Sequence, residues 1–199
     1  MKKLVKVRLI NWHYLSNETI EVKDNILLTG QNASGKSTIL DAITFILTGG
    51  DQTFNLAANE KGKRDLKGYV KCKLGAEDKE YLRDGDVTGH IALQFYNETT
   101  GETFVLGAVI DAVGEIGPAK YVMYRYRGEI DDKLFLGDGG HIYSIMEFKK
   151  QNRDAEVYTS KTEAKRGFRN DFGSINEDYF KLIIKALAFK PIANVKEFI

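Results

Sequence analysis

Gly30-Gln31-Asn32-Ala33-Ser34-Gly35-Lys36-Ser37 satisfies the pattern G-x-x-x-x-G-K-[ST], and its reading decides the fold. Each part has a physical task. Glycines at the two ends let the main chain curl until successive N–H groups converge on one point, a cradle for phosphate oxygens. A helix starting near Lys36 would aim its positive dipole end at the same point. Lys36 would set its ammonium against the β- and γ-phosphates, where charge builds during phosphoryl transfer. Ser37 would offer a hydroxyl to Mg²⁺, with Thr38 beside it on phosphate. The expected ligands are therefore ATP and Mg²⁺, held by Gly30, Asn32, Ala33, Ser34, Gly35, Lys36, Ser37 and Thr38.

Outward from the loop, the context is what the motif requires. Upstream, residues 26–29 form a short apolar run entering Gly30, a predicted strand after the turn signal Asp24-Asn25. Further upstream, residues 3–10 alternate as a half-buried strand, residues 11–17 read as a loop, and residues 19–22 as a second short strand. Downstream, Ile39, Leu40, Ile43, Ile46 and Leu47 recur at helical spacing, and Gly49-Gly50 stops the helix. Residues 51–66 are too polar for a core and carry Lys61, Lys63 and Arg64.

A β-rich middle follows. Strands are predicted at 69–74, 89–96, 103–111, 121–127 and 133–136, with a hairpin loop at 97–102 around Gly101. Short polar connections imply antiparallel pairing. The last third turns helical: Ser160-x-x-Glu163 and Ser174-x-x-Glu177 have capping-box spacing. The second opens a segment with Tyr179, Leu182, Ile183, Ala186 and Leu187 on one face, ended by Pro191. The expected fold class is α/β: a P-loop strand and helix with an antiparallel β subdomain and C-terminal helices, residues 1–199 forming one lobe.

The remaining composition excludes more than it suggests. In 199 residues, 29 basic and 28 acidic side chains give a net charge of +1. Charge is uneven locally: between Lys149 and Arg169, seven basic and three acidic residues leave +4, read either as a solvated helical face or as a phosphate-contacting patch. Cys72 is the one cysteine, so no internal disulfide or thiol cluster can form, and it reads as a small strand residue. His13, His90 and His141 show no ligand spacing. No apolar run reaches the roughly 18 residues of a membrane span, and the first residues lack a signal-peptide core, so a cytoplasmic location without membrane contact is expected.

Hydrolysis needs an acidic residue after a buried strand, to hold Mg²⁺ and orient water. Val105-Leu106-Gly107-Ala108-Val109-Ile110-Asp111 ends in an acid, but it lies in the antiparallel region and Ala112 follows. Asp111 therefore reads as an aspartate at a strand end.

Ile10-Asn11-Trp12, the 30–38 loop and Leu40-Asp41-Ala42-Ile43 resemble the start of an SMC, RecN or SbcC-type ABC ATPase head. The resemblance is closest to the MukB-like branch that includes the JetC ATPases of Wadjet plasmid-defence systems. Asn11-Trp12-His13-Tyr14, Phe54-Asn55-Leu56-Ala57-Ala58-Asn59, Arg64-Asp65-Leu66-Lys67-Gly68-Tyr69-Val70, Gly89-His90-Ile91-Ala92-Leu93-Gln94-Phe95 and Ala186-Leu187-Ala188-Phe189-Lys190-Pro191-Ile192 carry it across nearly the whole chain. In such heads a long coiled coil separates an N-terminal lobe with the P-loop from a C-terminal lobe with the signature motif and the Walker B acids.

The resemblance implies that His13 approaches nucleotide and that Lys63 and Arg64 lie on an arginine loop reaching nucleotide or DNA. Gln151 is a possible glutamine ligand to Mg²⁺. Leu136-Gly137-Asp138-Gly139-Gly140 is no signature motif and reads as a turn. The implied partners are a second head sandwiching ATP, DNA, and kleisin-type and small winged-helix subunits. The implied activity is ATP hydrolysis coupled to DNA translocation or loop extrusion, in plasmid defence or chromosome maintenance, with residues 1–199 alone binding nucleotide but barely hydrolysing it. Two other readings stay open: the head of an OLD or RecF-like nuclease or repair protein, and a non-hydrolysing module whose binding surface ATP stabilises.

Overall fold

The computed structural model describes residues 1–31, 34–54, 65–74, 80–114, 116–173, 175–176 and 178–187. Its centre is one six-stranded sheet in the order β2-β1-β3-β4-β5-β6. The strands are β1 (Lys2–Trp12), β2 (Leu15–Glu21), β3 (Val87–Asn97), β4 (Thr103–Ala112), β5 (Lys120–Arg127) and β6 (Glu156–Tyr158), and every neighbouring pair is antiparallel. The helices are α1 (Lys36–Leu47), α2 (Leu66–Val70), α3 (Ile145–Gln151), α4 (Lys161–Asp171) and α5 (Asp178–Leu187).

The sheet is covered on both faces, which explains why β4 is apolar almost throughout rather than alternating. Val7, Leu9, Ile91, Leu93, Leu106 and Ile110 point to one side and pack with Phe45 and Ile46 of α1, Tyr69 and Val70 of α2, and Phe168 of α4. Ile10, Ala92, Val105, Val109 and Tyr124 point to the other and meet Leu134, Phe135 and Phe148 of α3. Helices α1, α2 and α4 thus share one face, and α3 lies on the opposite face.

Several expectations change. Residues 11–17 are not a loop: β1 and β2 join in a tight hairpin pairing Trp12 with Leu15, His13 taking the left-handed conformation at φ 53°. No Asn-Gly or Gly step marks this turn in the sequence. Residues 69–74 are not a strand. Asp65 accepts from the Gly68 N–H at 2.7 Å, capping α2, and Cys72 sits buried in the turn that follows at φ 57°. Residues 133–136 begin in a short 3-10 turn (Asp132–Leu134) instead of a strand. Phe54, in the supposedly non-core polar stretch, packs on Tyr69 with ring centroids 4.8 Å apart. On α5, Phe180 is buried while Tyr179 and Leu182 are exposed, so the buried face is rotated from the expected one. Pro191, Ser174 and Glu177 lie outside the described residues.

The largest departure is at residues 26–29. They join no strand of the sheet, and Leu27 is 85% exposed. The apolar run is present, but no described strand supplies it with backbone partners.

Candidate phosphate-binding site

The described residues of the loop, Gly30, Gln31, Ser34 and Gly35, lead into α1. Gly35 is the N-cap residue, at φ 91° and ψ 4°, a left-handed conformation that a side chain would strain. Gly30 has φ 153°, and a Cβ there would lie 2.5 Å from Ser34 Oγ. The first helical bond runs from the Ile39 N–H to the Gly35 carbonyl at 3.0 Å. The amides of Lys36, Ser37 and Thr38, in the turn before it, therefore have no intrahelical acceptor.

How those amides are served separates α1 from its neighbours. Asp65 caps α2, Ser144 forms a full capping box with Glu147 on α3, and Ser160 caps α4. Helix α1 has no side-chain cap and no acid in its first turn. Such a terminus suits an anion.

The ammonium of Lys36 is folded onto its own loop. Nζ donates to the carbonyls of Gly30 and Gln31, each at 2.7 Å, and to Ser34 Oγ at 3.3 Å. This holds the positive charge at the mouth of the cradle, where a triphosphate would exchange neutral carbonyl acceptors for charged oxygens. Ser37 is exposed at the mouth, whereas Thr38 is turned inward and only 6% exposed. Among the described residues no cluster of three or more His, Cys, Asp or Glu is placed to hold a metal. Ser37 is the exposed hydroxyl that the sequence offers to Mg²⁺.

Beneath the first turn of α1 lies a brace that the sequence reading did not assign. Trp12 Nε1–H donates to the Thr38 carbonyl at 2.8 Å, and its ring stacks on Tyr69 with centroids 4.2 Å apart. The Tyr69 hydroxyl in turn donates to Oδ2 of Asp41, which is buried on the inner face of α1. The available signal was Asp41 itself, a carboxylate at the i+3 position from Thr38 on a face otherwise made of Ala42 and Phe45.

His13 is buried beside this brace. Its N–H donates to the Tyr69 carbonyl at 2.8 Å, its carbonyl accepts from Arg83, and its ring meets Tyr14 edge-on. The structure thus anchors His13 through its main chain to the segment after α2. Gln151 ends α3, on the face of the sheet opposite α1. Asp111 is engaged locally, accepting from Thr88 Oγ1 at 2.7 Å and from the Ile145 N–H at 3.1 Å, as a strand-end aspartate would. Residues 136–140 form a turn closed by the Gly137 N–H on the His141 carbonyl. Asn32, Ala33, Lys63 and Arg64 lie outside the described residues.

Loop, uncapped helix and positioned lysine define the nucleotide-binding region of a P-loop NTPase. The family model described as the P-loop containing region of AAA domain matches residues 4–61, which run from β1 through the loop and past α1. No match is found among curated proteins. Among the described residues no helix is long and apolar enough to cross a membrane.

Proposed function

We propose that this chain is the ATP-binding N-terminal lobe of an SMC-like, DNA-associated ATPase head. In this reading ATP is sandwiched between two heads, and its binding and hydrolysis drive engagement, release and movement along DNA. A kleisin-type subunit and a small winged-helix subunit complete the assembly.

One observation carries the split-head reading. A P-loop follows a β-strand, and here the segment that should be that strand, residues 26–29, lies outside the sheet, with Ile26 and Leu27 exposed and Leu28 half-buried. Ile26 is 44% and Leu27 85% exposed, directly before Gly30. A second lobe bringing strands alongside would bury them and fix the loop from its N-terminal side, as the Trp12 brace fixes it from the other. That lobe would also bring the Walker B acids, since Asp111 is committed to Thr88 and α3.

The test is calorimetry and phosphate release on residues 1–199. The expected outcome is weak Mg-ATP binding, lost in Lys36→Ala, with negligible turnover. Robust turnover by this chain alone, abolished by Lys36→Ala, would overturn the split-head reading.

A further inference from the structure

Lys2 opens β1 and Trp12 closes it, so about 33 Å of strand separates the brace under the P-loop helix from the other end of the sheet. At that other end the strands, α1 and α5 border a cavity of about 590 Å³, inside the roughly 300–1,000 Å³ of small-molecule sites. Phe95 of β3, Leu47 at the end of α1, Phe172 after α4 and Phe180 of α5 supply its apolar walls. Phe172 meets Phe95 edge-on with centroids 5.1 Å apart, so this aromatic floor is packed in place.

Polar groups converge on one side. Lys2 and Asn97 are paired across β1 and β3, so their side chains leave the same face of the sheet as neighbours, and both line the cavity. Asn97 Oδ1 accepts from the Thr99 N–H at 3.1 Å, and the side-chain NH₂ remains as a donor. Among the described residues no hydrogen bond or ion pair engages the Lys2 ammonium. The other charges nearby are committed. Lys3 and the amino group of Met1 are both paired with Glu98, at 2.7 and 3.8 Å. Asp171, which feels the Lys2 charge, accepts from Arg125 Nε at 2.6 Å, and the Thr100 hydroxyl donates to Glu102 at 2.9 Å.

We propose that this cavity binds a small aromatic monocarboxylate, its ring among Phe95, Phe172 and Phe180 and its carboxylate on Lys2 Nζ and the Asn97 amide. An ammonium and an amide side by side match the two oxygens of a carboxylate, and the charge on the acceptor strengthens both bonds. A neutral ligand of the same shape would gain the apolar contacts but would leave the ammonium without a counter-charge. The site shares no residue with the P-loop, and it stands or falls apart from the ATPase reading.

The experiment is calorimetry of residues 1–199 with 2-naphthylacetate and with its neutral amide, 2-naphthylacetamide, near neutral pH. The acid should bind about tenfold more tightly than the amide, the worth of one hydrogen bond to a charged group. Lys2→Gln should erase that preference and leave the affinity for the amide unchanged. Tyr179→Ala, at the half-exposed mouth, should weaken both compounds in equal proportion. Lys3→Gln removes the same charge from the opposite face of β1 and should change neither affinity. An equal loss in Lys2→Gln and Lys3→Gln would overturn the site, because net charge alone would then explain the preference. Equal affinities for acid and amide in the parent chain would overturn the carboxylate assignment, and absence of binding by either at millimolar concentration would sink the cavity as a ligand site. Lys36→Ala should leave acid binding intact; its loss there would place the carboxylate at the P-loop instead.

Discussion

The indole N–H of Trp12 donates to the main-chain oxygen of Thr38 at 2.8 Å, tying the first strand to the helical turn that carries Lys36 and Ser37. Nothing in a P-loop pattern demands this bond. It fixes where the cradle sits relative to the sheet. Trp12 is 1% exposed and stacked on Tyr69, so its ring cannot swing away when the loop takes up a phosphate. Replacing Trp12 by Phe keeps an aromatic face but removes the donor, and should cost about 1–3 kcal/mol in chemical unfolding. Nucleotide affinity should fall with it, and an unchanged affinity would show that the brace does not position the loop.

Tyr69→Phe tests the same brace from its other end. The hydroxyl donates to a carboxylate of Asp41 that is only 8% exposed, and a hydrogen bond to a charged group contributes about 1.5–3 kcal/mol. The stack on Trp12 survives the change. Thermal melts should therefore show a lowered midpoint, with the far-ultraviolet spectrum unaltered at low temperature.

On the other face of the sheet, Tyr124 lies flat over Gly107, its registered partner on β4. A Cβ at Gly107 would come within 2.3 Å of the Tyr124 ring, so Gly107→Ala must displace the ring and should destabilise by about 1–3 kcal/mol. The Tyr124 hydroxyl is buried without a hydrogen-bond partner among the described residues, and burial pushes its ionisation far up. Tyr124→Phe deletes an unsatisfied polar atom without altering the ring, and should raise the unfolding midpoint in urea. A loss of stability in that variant would mean that the hydroxyl is satisfied after all.

How much of this was legible in the sequence depends on where the information sits. The strands at 89–96, 103–111 and 121–127 announce themselves by apolar β-formers between polar turns, and the 97–102 hairpin by Gly101. The loop at 30–37 is legible because its chemistry is local. What failed needed neighbours. Residues 69–74 look like a strand by composition, yet the Asp65 cap and burial of Tyr69 against Trp12 make their start helical. Lys67 and Lys71 are almost wholly buried, their ammonium groups reaching the carbonyls of Gly117 and Gly114, a placement that no hydropathy pattern suggests. The strand before Gly30 has the opposite history: its residues read as β, and no described strand completes it. Trp12 and Asp41 belonged to recognisable strings, but their joint work on the P-loop helix exists only once β1, α1 and α2 meet.

His90 should contribute to the pH dependence of stability above pH 5. The ring is fully buried between Phe135 and Phe148, and Nε2–H donates to the Tyr143 carbonyl at 2.8 Å, so Nδ1 carries the lone pair. Burial drives the pKa down to about 4, against a weaker opposing effect of the Tyr143 bond. The sign follows from which state binds more protons. Between pH 6.5 and pH 4 the unfolded chain holds a proton on this histidine and the folded chain does not, so stability falls as the solution is acidified. The gap between about 4 and the ordinary 6.5 amounts to about 3 kcal/mol by pH 4. His90→Gln retains an N–H for Tyr143 but cannot titrate, and should flatten the urea-midpoint profile between pH 7 and pH 5 whatever its baseline. Glu147, held near 2 mainly by the Ser144 N–H and hydroxyl of its capping box, loses its contribution only at lower pH, as acid passes 4.5 towards 2. A His90→Gln profile as steep as that of the parent chain between pH 7 and pH 5 would show that the buried imidazole already takes up a proton in the folded state.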